Sequence, residues 1–294
     1  MHSKLPSEKR INIKSYAKTN LFLDLIERRA DNYTDVHFIM NELPLFDEME
    51  IEFNNSNELE LECNVKLPKE NTITKTVELF RQRFNFNEGI KIKLDKRIPE
   101  AAGFGGGSSN CAALAKILAR RMQLKLTNHE LADLIKDIST DACFFLFGGI
   151  ALVSGKGDNF FPLGERIRLN AVVFVPDIKI ENKTKTMYSL VKLNSKQHAD
   201  IRPMIKAIIE RNYTEIARNM FNYFETVEFK KYEKVFSLLQ ELREQKEVLN
   251  AILCGAGPAI IALCEKEKDL IGLAKRFNEE AIIIADRKEK NTRG

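Results

Sequence analysis

Within five positions, residues 103–107 of this chain read Gly-Phe-Gly-Gly-Gly, and Ser108-Ser109-Asn110 follow at once. Four glycines so close together admit backbone torsions closed to other residues, and they let the main chain approach a ligand with no side chain in between. Downstream, Leu114, Ile117, Leu118 and Met122 recur at helical spacing, which predicts a helix from Ser108 onward. The first turn of such a helix offers N–H groups without an intrahelical partner and the positive end of the helix dipole, together an anion site. Ser108 and Ser109 add hydroxyls that can reach a phosphate oxygen or a Mg²⁺ ion. A tight turn capped by Ser109 or Asn110 would need one such residue, not three consecutive glycines and two serines. Phosphate binding is therefore the stronger reading. The Walker A loop requires Gly-Lys-Ser/Thr, which is absent here, and the dinucleotide-binding pattern fails because Ser108 stands where its third glycine belongs.

The rest of the chain alternates strand and helix signals. Residues 11–26 read as a strand, followed by a turn at Arg29-Ala30-Asp31-Asn32. Residues 49–62 alternate apolar with acidic side chains and predict a half-exposed strand pair turning at Asn54-Asn55-Ser56-Asn57. A helix over 72–84 and a strand over 90–94 lead to the glycine segment. Beyond the glycine helix, a second helix is predicted over 128–138 with Asn128 as its N-cap. The apolar run 142–147 reads as a strand, and 150–153 as a further one before the turn at 155–158. The pattern restarts near 165 with a strand at 171–175. Helices follow around 200–222 and 226–248, the latter with a core-type stripe of Phe229, Tyr232, Phe236, Leu239 and Leu242. Strands at 251–254, 259–264 and 281–285 and a helix near 268–277 complete the chain. Interleaved strands and helices in both halves predict an α+β protein of two lobes, 1–165 and 166–294.

Composition narrows the function classes. At 294 residues and 44% hydrophobic content the chain can bury one large or two ordinary cores. Its 46 basic and 42 acidic residues leave +4, with no dense basic block, so a nucleic-acid partner is not expected. The small excess would help attract an anionic metabolite, but it is equally an ordinary soluble surface. Residues 1–12 lack the apolar core of a signal peptide, and no run approaches the ~20 apolar residues of a membrane span, which predicts a cytoplasmic protein. Five cysteines without CxxC spacing read as reduced core thiols, and four scattered histidines give no zinc pattern.

Three segments carry a resemblance to the GHMP family of small-molecule kinases. Ser15-Tyr16-Ala17-Lys18-Thr19-Asn20-Leu21-Phe22-Leu23 resembles the family's first motif, the glycine loop its second, and Gly255-Ala256-Gly257-Pro258-Ala259 its third, in the expected order. The resemblance implies a two-lobed α+β fold whose N-terminal lobe is similar to ribosomal protein S5 domain 2 and binds the nucleotide. It implies a ferredoxin-like C-terminal lobe that contributes to the substrate site. It also implies ATP and Mg²⁺ as cofactors, a small-molecule acceptor, and a monomer or homodimer. Among family members, the chain is most similar to those that phosphorylate a cytidine-diphosphate sugar alcohol, through Arg29-Ala30-Asp31-Asn32-Tyr33, Asp95-Lys96-Arg97-Ile98-Pro99 and Thr140-Asp141. It departs from them in Thr34, where a histidine is usual, in Ser139 and Thr140 before Asp141, and in Ala102.

By the resemblance, Asp141 is the base that takes the proton of the acceptor hydroxyl, and Lys18 either holds that carboxylate ionised or touches the transferring phosphoryl oxygens. Taken singly, a surface aspartate and a solvated lysine would explain both. Pro99, Ala102, Gly103, Phe104, Gly105, Gly106, Gly107, Ser108 and Ser109 are implied to bind ATP, with Ser108 at the metal and Lys96 and Asn71 near the adenine or its ribose. Asn20, Tyr33, Thr34, Asp141, Thr184, Gly255 and Gly257 are implied to meet the acceptor, Tyr33 by stacking on a base. Other GHMP acceptors, of the mevalonate, phosphomevalonate or homoserine type, fit Thr34 better. A non-catalytic nucleotide-binding homologue would have no reason to keep both Lys18 and Asp141.

Overall fold

The protein is described by a computed structural model covering residues 10–31, 33–178, 180–193, 197–277 and 279–285. Asn32 of the first predicted turn, His2 and most of the polar start lie outside these residues. The first sheet is built on a long antiparallel hairpin, β1 (Arg10–Arg28) and β2 (Thr34–Asn54), in which Lys18 faces Glu42 and Arg28 faces Thr34. Next come β3 (Leu59–Cys63), helix α1 (Thr72–Phe84) and β4 (Gly89–Asp95). β4 pairs antiparallel with β2 and parallel with β3, so it lies between them. The expected pair across the 54–57 turn is therefore corrected: β2 and β3 are separated by β4. Alternation fixes which face of a strand is buried, not its partner, and a parallel β3/β4 pair needs the crossover that α1 supplies.

Helix α2 (Gly106–Arg121) starts two residues earlier than expected. α3 (Asn128–Ile135) is capped by Thr127, not Asn128: the Thr127 side chain accepts from the Glu130 N–H, and Glu130 reaches back to the Thr127 N–H. The apolar run 142–147 is helix α4 (Ala142–Phe147), not a strand. Buried on several sides by α2 and α3, it shows no single apolar face, which is why periodicity misassigns it. β5 (Ile150–Gly155) and β6 (Asn159–Gly164) form a hairpin against β2.

The second sheet contains β7 (Asn170–Val175). The chain then passes through α5 (Lys183–Leu190), α6 (Arg202–Ile209), α7 (Tyr213–Arg218), β8 (Phe221–Asn222) and α8 (Glu233–Arg243). It returns as β9 (Val248–Leu253), β10 (Ile260–Cys264), α9 (Leu270–Arg276) and β11 (Glu280–Ala285). The order β11-β7-β10-β9, antiparallel throughout, is ferredoxin-like. The single helix expected over 200–222 is two, because Arg211 takes φ of 51° and Asn212 caps a fresh start with its side chain. The helix expected over 226–248 is confined to α8, preceded by 3-10 turns.

β8 pairs parallel with β1, Phe22 opposite Phe221 and Leu23 opposite Asn222, so the second half of the chain extends the first sheet. One apolar cluster joins Leu21, Phe22 and Ile39 to Ala171, Val173 and Ile261. Asn41 of β2 clamps the connecting segment through both backbone groups of Ile167, at 2.7 and 3.0 Å. All five cysteines are free, four of them buried, while Cys63 is only partly covered and is not the core thiol expected. Among the described residues no helix is long and apolar enough to cross a membrane.

Candidate active site

The glycine loop joins β4 to α2, and its geometry follows from its glycines. Gly105 is the N-cap of α2 at φ of 71°, and no side chain caps the helix. The first intrahelical bond runs from the Ser109 N–H to the Gly105 carbonyl at 2.8 Å. The N–H groups of Gly106, Gly107 and Ser108 precede it and point out of the helix end. A 16-residue helix so ended presents three amides and a positive dipole to an anion. Neither Ser109 nor Asn110 is the cap. Both are turned inward at 2% exposure, and Ser109 offers the ligand side no hydroxyl. Ala102 and Phe104 are also core side chains, so their part in the loop is main-chain only.

Three distant segments meet here. The Lys18 N–H donates to the Phe104 carbonyl at 3.0 Å, which lays β1 along the loop. The stem of Lys18 passes under Gly105, where a Cβ would stand 3.3 Å from Cε. The Lys18 side chain is 6% exposed, and its ammonium lies 3.4 Å from an Asp141 carboxylate oxygen and donates to Asn20 Oδ1 at 2.8 Å. Asp141 precedes α4 with its side chain 40% exposed, open to a ligand. Ser108 Oγ bonds Ser139 Oγ at 2.7 Å, tying the loop to the segment that carries Asp141.

The third segment closes the other side. At Gly103, φ of +100°, a Cβ would fall 1.9 Å from the Cys254 carbonyl, so only glycine permits this approach. The Gly103 carbonyl in turn lies 3.6 Å from a Cβ built at Gly255. Burial pushes the Cys254 thiol up to about 12, so it is a neutral packing group beside Thr19. The 255–257 loop is held from behind by two residues to which sequence reasoning gave no site role. Tyr232, fully buried, donates to the Ala256 carbonyl at 2.7 Å, and Asn222 donates to the Leu253 and Gly255 carbonyls at 2.9 and 2.8 Å.

Beneath the loop is a buried polar network. Asp47, 0% exposed, accepts from Lys96 Nζ at 2.6 Å, from the Arg97 and Ile98 N–H groups at 2.8 and 2.9 Å, and from Asn110 Nδ2 at 3.0 Å. The ammonium of Lys96 is thus committed to holding the loop from below, 2.9 Å from where a Gly106 Cβ would stand. Asn71 spends its side-chain oxygen capping α1 through the Ile73 and Thr74 N–H groups. Both residues nevertheless line a cleft of about 390 Å³ with Pro68, Pro99 and the glycine loop.

Tyr33 and Thr34 lie apart, at the tip of the β1/β2 hairpin, with Tyr33 59% exposed. The turn at 155–158 connects them to the segment that carries Asp141. Lys156 Nζ lies 4.6 Å over the Tyr33 ring, and a Cβ on the next residue, Gly157, would stand 3.5 Å from the Thr140 methyl, adjacent to Asp141. Thr184 is exposed on α5 beside Lys183, whose ammonium reaches the Ala101 carbonyl at 2.6 Å and the Gly257 carbonyl. Burial first, and the nearby charge of Lys18 second, lower the pKa of Lys183 to about 8. Among the described residues no group of three or more His, Cys, Asp or Glu side chains could hold a metal alone.

An extended phosphate-bearing ligand, lying from the α2 terminus across Lys18 and Asp141 toward Tyr33, would meet groups suited to each part. Residues 71–149 match the family model of the GHMP kinases N terminal domain, and residues 204–283 that of the GHMP kinases C terminal. A protein of Thermoanaerobacter pseudethanolicus, named 4-diphosphocytidyl-2-C-methyl-D-erythritol kinase, is 34% identical over 275 residues, 92% of each chain. One of the same name from Caldanaerobacter subterraneus subsp. tengcongensis is 35% identical over 89% of this chain and 91% of its own. A crystal structure of 4-(cytidine 5'-diphospho)-2C-methyl-D-erythritol kinase superimposes with a TM-score of 0.76 at 24% identity, over 92% of this chain and 97% of that one. The Methanococcus jannaschii mevalonate kinase gives 0.67 at 17% identity, over 96% and 100%.

Proposed function

The chain belongs to the GHMP family of ATP-dependent small-molecule kinases, and we propose that its acceptor is 4-diphosphocytidyl-2-C-methyl-D-erythritol, phosphorylated on the 2-hydroxyl on the non-mevalonate route to isoprenoid precursors. One observation carries the reading: an open aspartate is paired at 3.4 Å with a buried lysine beside an uncapped helix terminus of three free amides. The relatives named for this substrate, and the exposed Tyr33 at the hairpin tip, reached from Asp141 through the 155–158 turn, support the cytidine end.

In the reaction Asp141 takes the proton of the acceptor hydroxyl as its oxygen attacks the γ-phosphorus. The bond from that phosphorus to the β–γ bridging oxygen breaks, and ADP leaves. Proton removal by a positioned base is worth about 10²–10⁴-fold. Positioning and charge neutralisation supply most of the remainder. The amides of Gly106, Gly107 and Ser108 hold the phosphates, and Lys18 orients Asp141 and faces the transferring group. Asn20 fixes the Lys18 ammonium from the other side. A serine hydroxyl is a hard oxygen donor of the kind that suits Mg²⁺ beside phosphate oxygens. Ser108 would hold that ion on the protein side, and the ion would neutralise charge on the β- and γ-phosphates.

Thr34, where related kinases of this substrate usually have histidine, favours a second reading with another GHMP acceptor of the mevalonate, phosphomevalonate or homoserine type. We place the protein in the cytoplasm as a monomer or homodimer without a nucleic-acid partner. The test is ATP turnover against a panel of purified acceptors that includes the cytidine compound. Turnover with that compound is expected, and turnover only with mevalonate-type acids removes it as the acceptor.

A further inference from the structure

We propose that Lys183 is a positioning residue of this kinase, whose ammonium clasps the entrance of the glycine loop to the 255–257 loop and so fixes both around the transferring phosphoryl group. The inference rests on the kinase reading above. Lys183 opens α5, and its Nζ donates to the Ala101 carbonyl at 2.6 Å and to the Gly257 carbonyl. These two carbonyls belong to loops from opposite halves of the chain, already in contact deeper in the cleft, where Gly103 meets Cys254. Lys183 adds the outer link. Ala101 takes φ of 52°, a left-handed conformation unfavourable for a residue with a Cβ, and its carbonyl is turned toward the ammonium.

The charges around Lys183 separate a functional cation from an ordinary structural stitch. Among the described residues no carboxylate lies within ion-pair distance of its Nζ. The titratable groups that face it are Lys18 from β1, Cys254 beyond β9 and Asp141 at the start of α4. Of these, Lys18 repels it, Cys254 is a neutral thiol, and Asp141 is already paired with Lys18. A cation balanced only by two carbonyl dipoles, beside a second cation, is costly to keep. Anionic phosphate brought between the two loops would offset that cost. Two neutral carbonyls could be joined without a charge at all, so a lysine here is accounted for by the negative ligand and not by the fold.

The experiment compares wild type, Lys183→Met and Lys183→Arg by steady-state kinetics on either side of pH 8, with ADP titration and thermal melting of each. Wild-type kcat/KM for ATP is expected to fall as pH rises through about 8, where Lys183 loses its charge. In Lys183→Met the KM for ATP rises about tenfold or more, as loss of charge-assisted bonds implies, and the fall near pH 8 disappears. Lys183→Arg, which cannot deprotonate there, restores affinity and also lacks that fall. Wild-type KM in Lys183→Met with the same pH profile as the parent overturns the proposal. An unchanged fall near pH 8 in Lys183→Arg overturns it too, and needs no folded Met variant. If the wild type works only on a different acceptor, the acceptor reading fails and the same comparison runs with that acceptor. If no acceptor is phosphorylated, unchanged ADP affinity in Lys183→Met overturns the inference and a tenfold loss sustains it.

Discussion

The ammonium of Lys18 and the carboxylate of Asp141 lie 3.4 Å apart, one nearly buried in β1 and the other open at the head of α4. The exposure difference divides the labour: the lysine is fixed by Phe104 and Asn20, and the aspartate is free to meet a hydroxyl. Asp141→Asn keeps the shape and removes the proposed base. Turnover is expected to fall by about 10²–10⁴-fold, while ADP affinity measured by calorimetry stays within a few-fold. Turnover close to the parent's would remove Asp141 from that role.

Gly103→Ala places a methyl 1.9 Å from the Cys254 carbonyl at a φ of +100°. Backbone cannot yield as a flexible side chain would, so a cost of at least about 2 kcal/mol is expected. Chemical denaturation should show the loss together with weakened ADP binding. An unaltered denaturation midpoint would mean that the two loops are not in contact.

Asp47→Ala strands the buried ammonium of Lys96 and leaves two backbone N–H groups and an amide without their acceptor. Removing one partner of a buried ion pair costs about 3–5 kcal/mol. The expected result is a large drop in unfolding free energy, and a change under about 1 kcal/mol would contradict the network.

Tyr33→Ala removes the exposed ring at the hairpin tip. Loss of a base-stacking face is worth about 1–3 kcal/mol, so the KM for the cytidine acceptor should rise about tenfold with the KM for ATP unmoved. Equal effects on both substrates would place the ring elsewhere in the reaction.

Lys183 also leaves a signature on stability. Its pKa falls from 10.5 to about 8 on folding, so between those values the unfolded chain holds a proton that the folded chain has released. Raising the pH across that window therefore favours the folded state through this residue, and below about 8 its burial counts against the fold. The unfolding free energy of wild type minus that of Lys183→Met should rise from pH 8 toward 10.5. A flat difference would show that the residue is not desolvated.

The site was legible where its chemistry needs an unusual residue pattern. Gly103 to Gly107 stood out because few other roles require that many bare backbones, and Lys18 and Asp141 followed only from the motifs around them. Lys183, Tyr232, Asn222 and Asp47 were not legible, since each is a common residue whose part is set by a neighbour far away in sequence. For the fold, strands with clean alternation such as 90–94 could be placed, but their partners could not. The burial of Ala142–Phe147 on several sides erased the periodicity that would have marked it as a helix. Asn128 is a good capping type by residue, yet Thr127 one residue earlier completes the reciprocal pair with Glu130 and is the cap of α3.

β8 is only two residues long, but it crosses from the second half of the chain to lie beside β1, and its Asn222 holds the 255–257 loop. Unfolding the second lobe would strip β8 from the edge of the first sheet, and unfolding either lobe would expose the apolar cluster they share. Cooperativity therefore spans the whole molecule: a single melting transition is expected, and halves severed near 165 would each expose an unsealed apolar face. The 255–257 side of the candidate site is thereby tied to β1 through β8.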